Sequence, residues 1–208
     1  MLQSSLAGKR KLIVLWIEKS LIEGKYVVLE PLTLEHVPSL IEAVKDGEHW
    51  KLWFANVPNP DTMHQYVNDA IKQMLLGNIA YAVRVKATNQ IVGTTRFYNV
   101  DEPNRRALIG YTWYSNAVRG TKVNTECKYL LIKQLFEKYS AIAVEFRTHL
   151  HNTASRRAIE RIGAQQDGIL RNHIILNSGT VRDTVVYSII DTEWPDTKQG
   201  LLKKLSSE

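Results

Sequence analysis

Apolar positions along the 208-residue chain change period several times, and each change predicts an element. Tyr26-Val-Val-Leu-Glu-Pro31 is apolar and β-branched and predicts a strand. Thr33 is a helix-capping residue, and the stretch from Leu34 to Val44 predicts a helix with Pro38 in its first turn. A second helix runs from a cap at Asp61 or Thr62 through Leu76 and is stopped by Gly77-Asn78. Three strands follow, from Ile79 to Lys86, Ile91 to Val100 and Arg106 to Tyr114, with turns at Thr88-Asn89 and from Asp101 to Asn104. Residues 125–139 return to helical spacing, with Cys127, Leu130, Leu131, Leu135 and Phe136 on one face and charges on the other. Ala141 to His149 alternates as a strand does, and His151 to Gly163 reads as a capped helix stopped by glycine. Ala164 to Leu176 and Thr180 to Ile190 form a last hairpin around Asn177-Ser178-Gly179, and the Lys-rich stretch after Pro195 reads as a frayed polar tail.

The stretch from Gly110 to Ala164 organises the rest, because it reads as strand, loop, helix, strand, second helix. Its loop, residues 117–124, feeds a helix N-terminus, where unpaired backbone N–H groups and the helix dipole suit an anion such as a pyrophosphate. Arg119 and Lys122 add positive charge, and Gly120 allows close backbone approach. Loop composition alone fits equally an ordinary strand-to-helix turn with solvated basic residues.

In these residues the chain resembles the GNAT acetyltransferase superfamily, and within it the RimJ/RimL-type branch that acetylates protein N-termini and other primary amines. Arg119-Gly-Thr-Lys-Val-Asn124 lines up with that family's acetyl-CoA loop, R-G-x-G-x-G/A. Asn152, Ser155, Gly163 and Ala164 line up with its later N-x-x-S signature and the helix that ends in glycine, and Arg182 to Ile190 is similar to the branch's last strand. The resemblance covers residues 24–194, between an N-terminal extension (1–23) and the polar tail (195–208). It implies a single mixed α/β domain: a mostly antiparallel mixed sheet with a splayed parallel strand pair, flanked by helices.

The same resemblance implies direct transfer of acetyl from acetyl-CoA to an amine in a ternary complex, without an acyl-enzyme or a metal. It places Arg119, Gly120, Thr121, Lys122, Val123 and Asn124 at the pyrophosphate. Backbone N–H groups near Trp113 and Tyr114 would stabilise the thioester oxygen. Asn152 would bond the pantetheine arm, and Ser155 would protonate the departing thiolate; both residues fit plain helix capping as well. Trp50, Trp53 and Phe54 would line the acceptor pocket or pack as core or lid. His173, Glu30 or Glu145 would take the amine proton through water. An α-amino group, with a pKa of about 7.7 to 8.0, needs far less help than a lysine at about 10.4. Three departures stand out: Lys122 where relatives have a second glycine, Asn124 where a small residue is usual, and Ile159 where many GNAT enzymes carry a tyrosine.

Composition adds limits. With 44% hydrophobic and 23% charged residues the chain is globular and long enough for one sizeable core. The net charge of +6 suits an anionic partner, of which CoA is one and nucleic acid another. Cys127 is the only cysteine, which excludes an internal disulfide and a Cys-rich zinc site, and its place on the apolar helix face makes it core. His149 and His151 lie two apart, a conceivable metal pair without an evident third ligand. Lys9-Arg-Lys11 before Leu12 to Ile17 faintly resembles a signal peptide, but Glu18-Lys19 follows at once, no cleavage site appears, and the run is too short to span a membrane. The expected location is cytoplasmic, with the Leu12 to Trp16 part packed on the domain, as a monomer or homodimer. The acceptor stays open among peptide N-termini, polyamines, amino acids and aminoglycosides. A weak or inactive acyl-CoA-binding module is the other reading, and a basic nucleic-acid-binding domain rests on charge alone.

Overall fold

The structure, a computed structural model, describes residues 15–176 and 179–207. Its strands are β1 (Ile22–Glu23), β2 (Val27–Pro31), β3 (Ile79–Val85), β4 (Gln90–Asp101), β5 (Arg106–Tyr114), β6 (Ala143–His149), β7 (Gln165–Ile175) and β8 (Val181–Ile190). Its α-helices are α1 (Val37–Lys45), α2 (Met63–Met74), α3 (Lys122–Lys133), α4 (Thr153–Arg161) and α5 (Trp194–Ser206). The strands form one sheet in the order β1-β2-β3-β4-β5-β6-β8-β7, antiparallel throughout except for the β5–β6 pair. This is the expected mixed α/β domain with a parallel pair at its centre.

Helices cover both faces, so Ile79 to Val83 of β3 are buried without alternation. On one face α3 packs over β5 and β6, with Cys127, Leu131 and Leu135 buried. On the other, Tyr66 of α2 reaches Thr94 of β4, hydroxyl to hydroxyl at 3.0 Å. Glu126 of α3 is buried and accepts backbone N–H bonds from Lys25, Tyr26 and Val27 at 2.7–2.8 Å, which fastens the β1–β2 turn to the helix.

Several boundaries differ from the sequence reading. The first helix is entered through a 3-10 turn at Leu34–His36, so α1 begins at Val37. The third helix starts at Lys122 rather than Thr125, because the Thr121 hydroxyl caps it by accepting from the Val123 N–H at 3.3 Å. It continues as a π-helical turn over Gln134–Lys138. The stretch read as a frayed tail is instead helix α5. Trp194 and Leu201 are buried along it, and the Trp194 ring stacks on Phe136 with centroids 5.5 Å apart. Burial of those two side chains outweighs the helix's polar composition. Of the N-terminal run expected to pack, Leu12 to Val14 lie outside the described residues; Ile17 is buried, and Trp16 meets Tyr139 edge-on. Asn177 and Ser178 of the last turn also lie outside them.

The feature that makes a site is the parting of β5 from β6. They pair only at Arg106–Ala143, Ala107–Val144 and Leu108–Glu145, and separate beyond. The cause is a bulge in β5: Arg96 faces Gly110 but Thr94 faces Trp113, so β5 carries one extra residue there. Tyr111 absorbs it in the left-handed region at φ +50°, a strained setting for a tyrosine. On the neighbouring strand Gly93 permits the approach, since a Cβ there would lie 2.0 Å from the Trp113 carbonyl oxygen.

Candidate active site

The open end of the β5–β6 gap meets the N-termini of two helices. After β5 the chain makes a short turn at Asn116–Val118, held by Asp46, whose carboxylate accepts from the Ala117 N–H at 2.8 Å. Arg119-Gly120-Thr121 then leads into α3. Gly120 has φ +72°, and a Cβ built on it would meet no atom within 4 Å, so the backbone here faces open space. The first-turn N–H groups of α3 are available to an anion by the rule for helix starts, apart from that of Val123, which the Thr121 cap holds. The Val123 side chain belongs to the core, and Asn124 lies in the helix's first turn. The Lys122 ammonium turns back to Tyr26, 3.4 Å from its hydroxyl and over its ring. Lys122 thus neither pushes the loop outward nor reaches across it. Arg119 approaches His49 at 3.5 Å.

At the other helix start, Asn152 caps α4 by accepting from the Ser155 N–H at 3.0 Å. The cap is the role the structure shows for Asn152. The Ser155 hydroxyl is half-buried and makes no hydrogen bond among the described residues. Helix α4 is anchored to the sheet through Tyr187, whose hydroxyl accepts from Arg156 Nε at 3.0 Å and donates to Glu160 at 2.9 Å. Trp113 is buried, and Tyr114 places its hydroxyl against the Cys127 thiol, where burial raises its pKa well above that of a free phenol. Cys127 is core as expected, its thiol pushed up to about 12 by burial.

On the acceptor side, Trp53 and Phe54 come over the end of β6, with ring centroids 4.8 and 6.0 Å from that of His149. Trp50 packs partly buried against the core. His149 Nδ1 accepts from the His151 N–H at 3.0 Å, which leaves the ring proton on Nε2, a buried atom without a partner among the described residues. Burial, with Arg182 and His151 nearby, lowers its pKa, so the ring is neutral near pH 7. No group of three His, Cys, Asp or Glu able to hold a metal occurs among the described residues.

Of the three suggested bases, Glu30 and Glu145 are engaged elsewhere. Glu30 is bonded by Arg84 and His36 and held below the usual carboxylate range by the Arg84 hydrogen bond. Glu145 is buried between Arg106 and Arg147. His173 is exposed on β7, with Nδ1 3.1 Å from the Thr184 hydroxyl, and Thr184 lies opposite His149 in the β6–β8 ladder. His173 and His149 are therefore neighbours across one threonine. Sequence spacing gave no sign of that juxtaposition, nor of Lys128, whose buried Nζ donates to the Thr112 hydroxyl at 2.7 Å beneath the gap.

A family model described as acetyltransferase (GNAT) domain matches residues 27–165. The Bacillus subtilis (strain 168) protein named "Putative ribosomal N-acetyltransferase YdaF" is 26% identical over 174 residues, which cover 82% of this chain and 93% of that protein. Among solved structures, a GCN5-related N-acetyltransferase from Brucella melitensis superposes with a TM-score of 0.82 at 28% identity, covering 91% of this chain and 87% of its own. The ribosomal L7/L12 α-N-protein acetyltransferase RimL shares the fold, with a TM-score of 0.72 at 20% identity over 82% of this chain and 94% of its own. Among the described residues no helix is long and apolar enough to cross a membrane.

Proposed function

Because this chain belongs to the GNAT acetyltransferase family, we propose that it transfers acetyl from acetyl-CoA directly to a primary amine, with a peptide or protein N-terminus as the acceptor class. The observation that carries the reading is the meeting of the β5–β6 gap with the capped, open start of α3. Acetyl-CoA supplies the activated acyl group as a thioester.

The chain's own residues do the rest. Arg119, Gly120 and Thr121 with the first turn of α3 at Lys122, Val123 and Asn124 receive the pyrophosphate, through backbone N–H groups and the helix dipole more than through the Lys122 ammonium. The Trp113 carbonyl and the Ser115 N–H face β4, so by strand alternation it is the Tyr114 N–H that turns toward the parted β6 and polarises the thioester carbonyl beside Trp113. Asn152 still has its amide NH2 for the pantetheine arm, since its cap uses only Oδ1. The amine lone pair attacks the carbonyl carbon, the C–N bond forms and the C–S bond breaks. Ser155 returns a proton to the thiolate, and His173 at the rim takes one from the amine through water. Trp53 and Phe54 wall the acceptor side.

A protein acceptor is supported by the name that the Bacillus relative carries, and an α-amine by the pairing of Glu30 and Glu145 with arginines, since an α-amine is already part-neutral near pH 7 and needs less help from a base. The test is the thermal midpoint with and without excess acetyl-CoA, followed by thiol release with peptide amines. Ligand at about a hundred times its dissociation constant stabilises by about 2.7 kcal/mol, or roughly 5–10 °C for a chain of this size. A midpoint unmoved at millimolar acetyl-CoA overturns the cofactor site. A shift without turnover of any amine leaves an acyl-CoA-binding module.

A further inference from the structure

On the α2 side of the gap the chain buries positive charge that pairs with no carboxylate among the described residues. Arg96 points from β4 toward α2, 7% exposed, its guanidinium carbon 4.4 Å from the ring centroids of both Tyr66 and Tyr111. Its Nε and Nη2 are buried and have no hydrogen-bond partner, and no carboxylate lies in ion-pair range among the described residues. Arg182 of β8 is 9% exposed, with an unpartnered Nε, and its charge is felt by Tyr98, Tyr111 and His149. The Tyr98 and Tyr111 rings meet edge to face at 5.0 Å, so the two arginines flank one aromatic wall. The neighbouring carboxylate, Glu145, is spent on Arg106 and Arg147.

A buried guanidinium with two free N–H groups is costly, because each lost water bond goes unreplaced. Stacking on tyrosine faces returns part of that cost and leaves the planar edge free for an in-plane acceptor. The cover over Arg96 is slight: Tyr111 is 44% exposed and sits on the strained bulge, so a modest ring movement uncovers the guanidinium. Arg182 lies close enough to His149 for its charge to be felt there, beside the Trp53–Phe54 end of the gap, and Arg96 stands against the Tyr111 ring that also feels Arg182.

We infer that the acceptor carries, besides its reacting amine, a carboxylate that Arg96 and Arg182 receive on the α2 side of the β5–β6 gap. The inference rests on the acetyl-transfer reading above and narrows its substrate class. The carboxylate is either the α-carboxylate of a free amino acid or the acidic side chain of a peptide's first residues, and the experiment separates the two.

Thiol release from acetyl-CoA is followed with the full chain in two arms of matched acceptors. One arm pairs each amino acid with its carboxamide; the other pairs peptides beginning Ser-Glu or Ser-Asp with those beginning Ser-Gln or Ser-Asn. The acid member of at least one arm should exceed its neutral partner in kcat/KM by about tenfold to a hundredfold, the range for a charged hydrogen bond. In Arg96→Gln the ratio should fall toward one, whereas a merely structural role would slow both members equally. Arg182→Gln gives the same reading where Arg96→Gln lowers the midpoint too far. Equal rates for acid and neutral partners, or a preference that survives both substitutions, overturns the inference. If acetyl-CoA raises the midpoint but no amine is turned over, transfer itself fails. The same pairs titrated calorimetrically then decide recognition: a preference for the acid that Arg96→Gln abolishes supports it, and equal or absent binding overturns it.

Discussion

Lys128 of α3 donates from its buried Nζ to the Thr112 hydroxyl of β5 at 2.7 Å, one residue beyond the strained Tyr111. The same ammonium lies 6.0 Å from the Phe146 ring of β6, so a single side chain spans the floor of the gap between the parted strands. Thr112 lies 2.9 Å, hydroxyl to hydroxyl, from Thr95 of β4, which ties the bulge to the neighbouring strand.

Burial lowers the Lys128 pKa from 10.5 to about 8. A lysine whose pKa is lower folded than unfolded costs stability while it is charged in both states. That cost is fully present below the folded pKa and is relieved as pH rises from about 8 toward 10.5, where the unfolded chain binds the extra proton. Full relief amounts to about 3 kcal/mol at about 1.36 kcal/mol per pKa unit. Lys128→Met should therefore be the more stable protein at pH 7, and the difference from wild type should narrow between pH 8 and 10. Chemical denaturation across that range checks it; a difference flat in pH would mean that Lys128 is not buried as a cation.

Ser155 donates its N–H to Asn152 but commits its hydroxyl to nothing among the described residues. Ser155→Ala should leave the midpoint within about 0.5 kcal/mol of wild type. It should lower kcat by about a hundredfold or more, as loss of a general acid does, with acetyl-CoA affinity nearly unchanged. Full-rate turnover in the variant removes Ser155 from the mechanism.

Gly120 at φ +72° has room for a side chain but the wrong backbone for one. Gly120→Val should cost about 1–2 kcal/mol of left-handed strain. Because the added group would stand over the α3 start, it should also weaken acetyl-CoA binding, measured by calorimetry. Unchanged affinity would place the pyrophosphate elsewhere.

Leu201 is 1% exposed in the helix that the sequence alone presents as a loose tail. Leu201→Ala should destabilise the whole domain by roughly 2–5 kcal/mol, as deletion of a core leucine does. A midpoint equal to wild type would show α5 to be dispensable.

Much of the frame was legible because it rests on local rules. The β-branched runs of β3 to β5, the cap at Asn152 and the stop at Gly163 each act within a few residues of themselves, whereas Thr62, expected as a cap, bonds Asn59 and makes no side-chain cap bond to its helix. The motif Arg119 to Asn124 marked the right helix start, though its last three residues proved to be helix and not loop, because a cap displaces a boundary by whole residues. Helix α5 was missed since its evidence is not local: Trp194 reads as an isolated apolar residue until Phe136 and Tyr129 supply its partners, and Leu201 until the fold buries it. Glu126 was missed for the same reason, its three N–H donors lying about a hundred residues away in sequence.

What the sequence by itself determined is the order and type of the elements through β8 and, to within a few residues, the helix starts that face the gap. Those follow from periodicity and capping, which act over short range. Only the tertiary structure decided which polar groups are left without partners. Glu30 and Glu145 are paired with Arg84 and Arg106 of neighbouring strands, the Lys122 ammonium is drawn to Tyr26, and Arg96 and Arg182 are buried with no carboxylate partner among the described residues. Pairing and desolvation depend on what the sheet brings alongside a residue from far along the chain, and no local pattern encodes that.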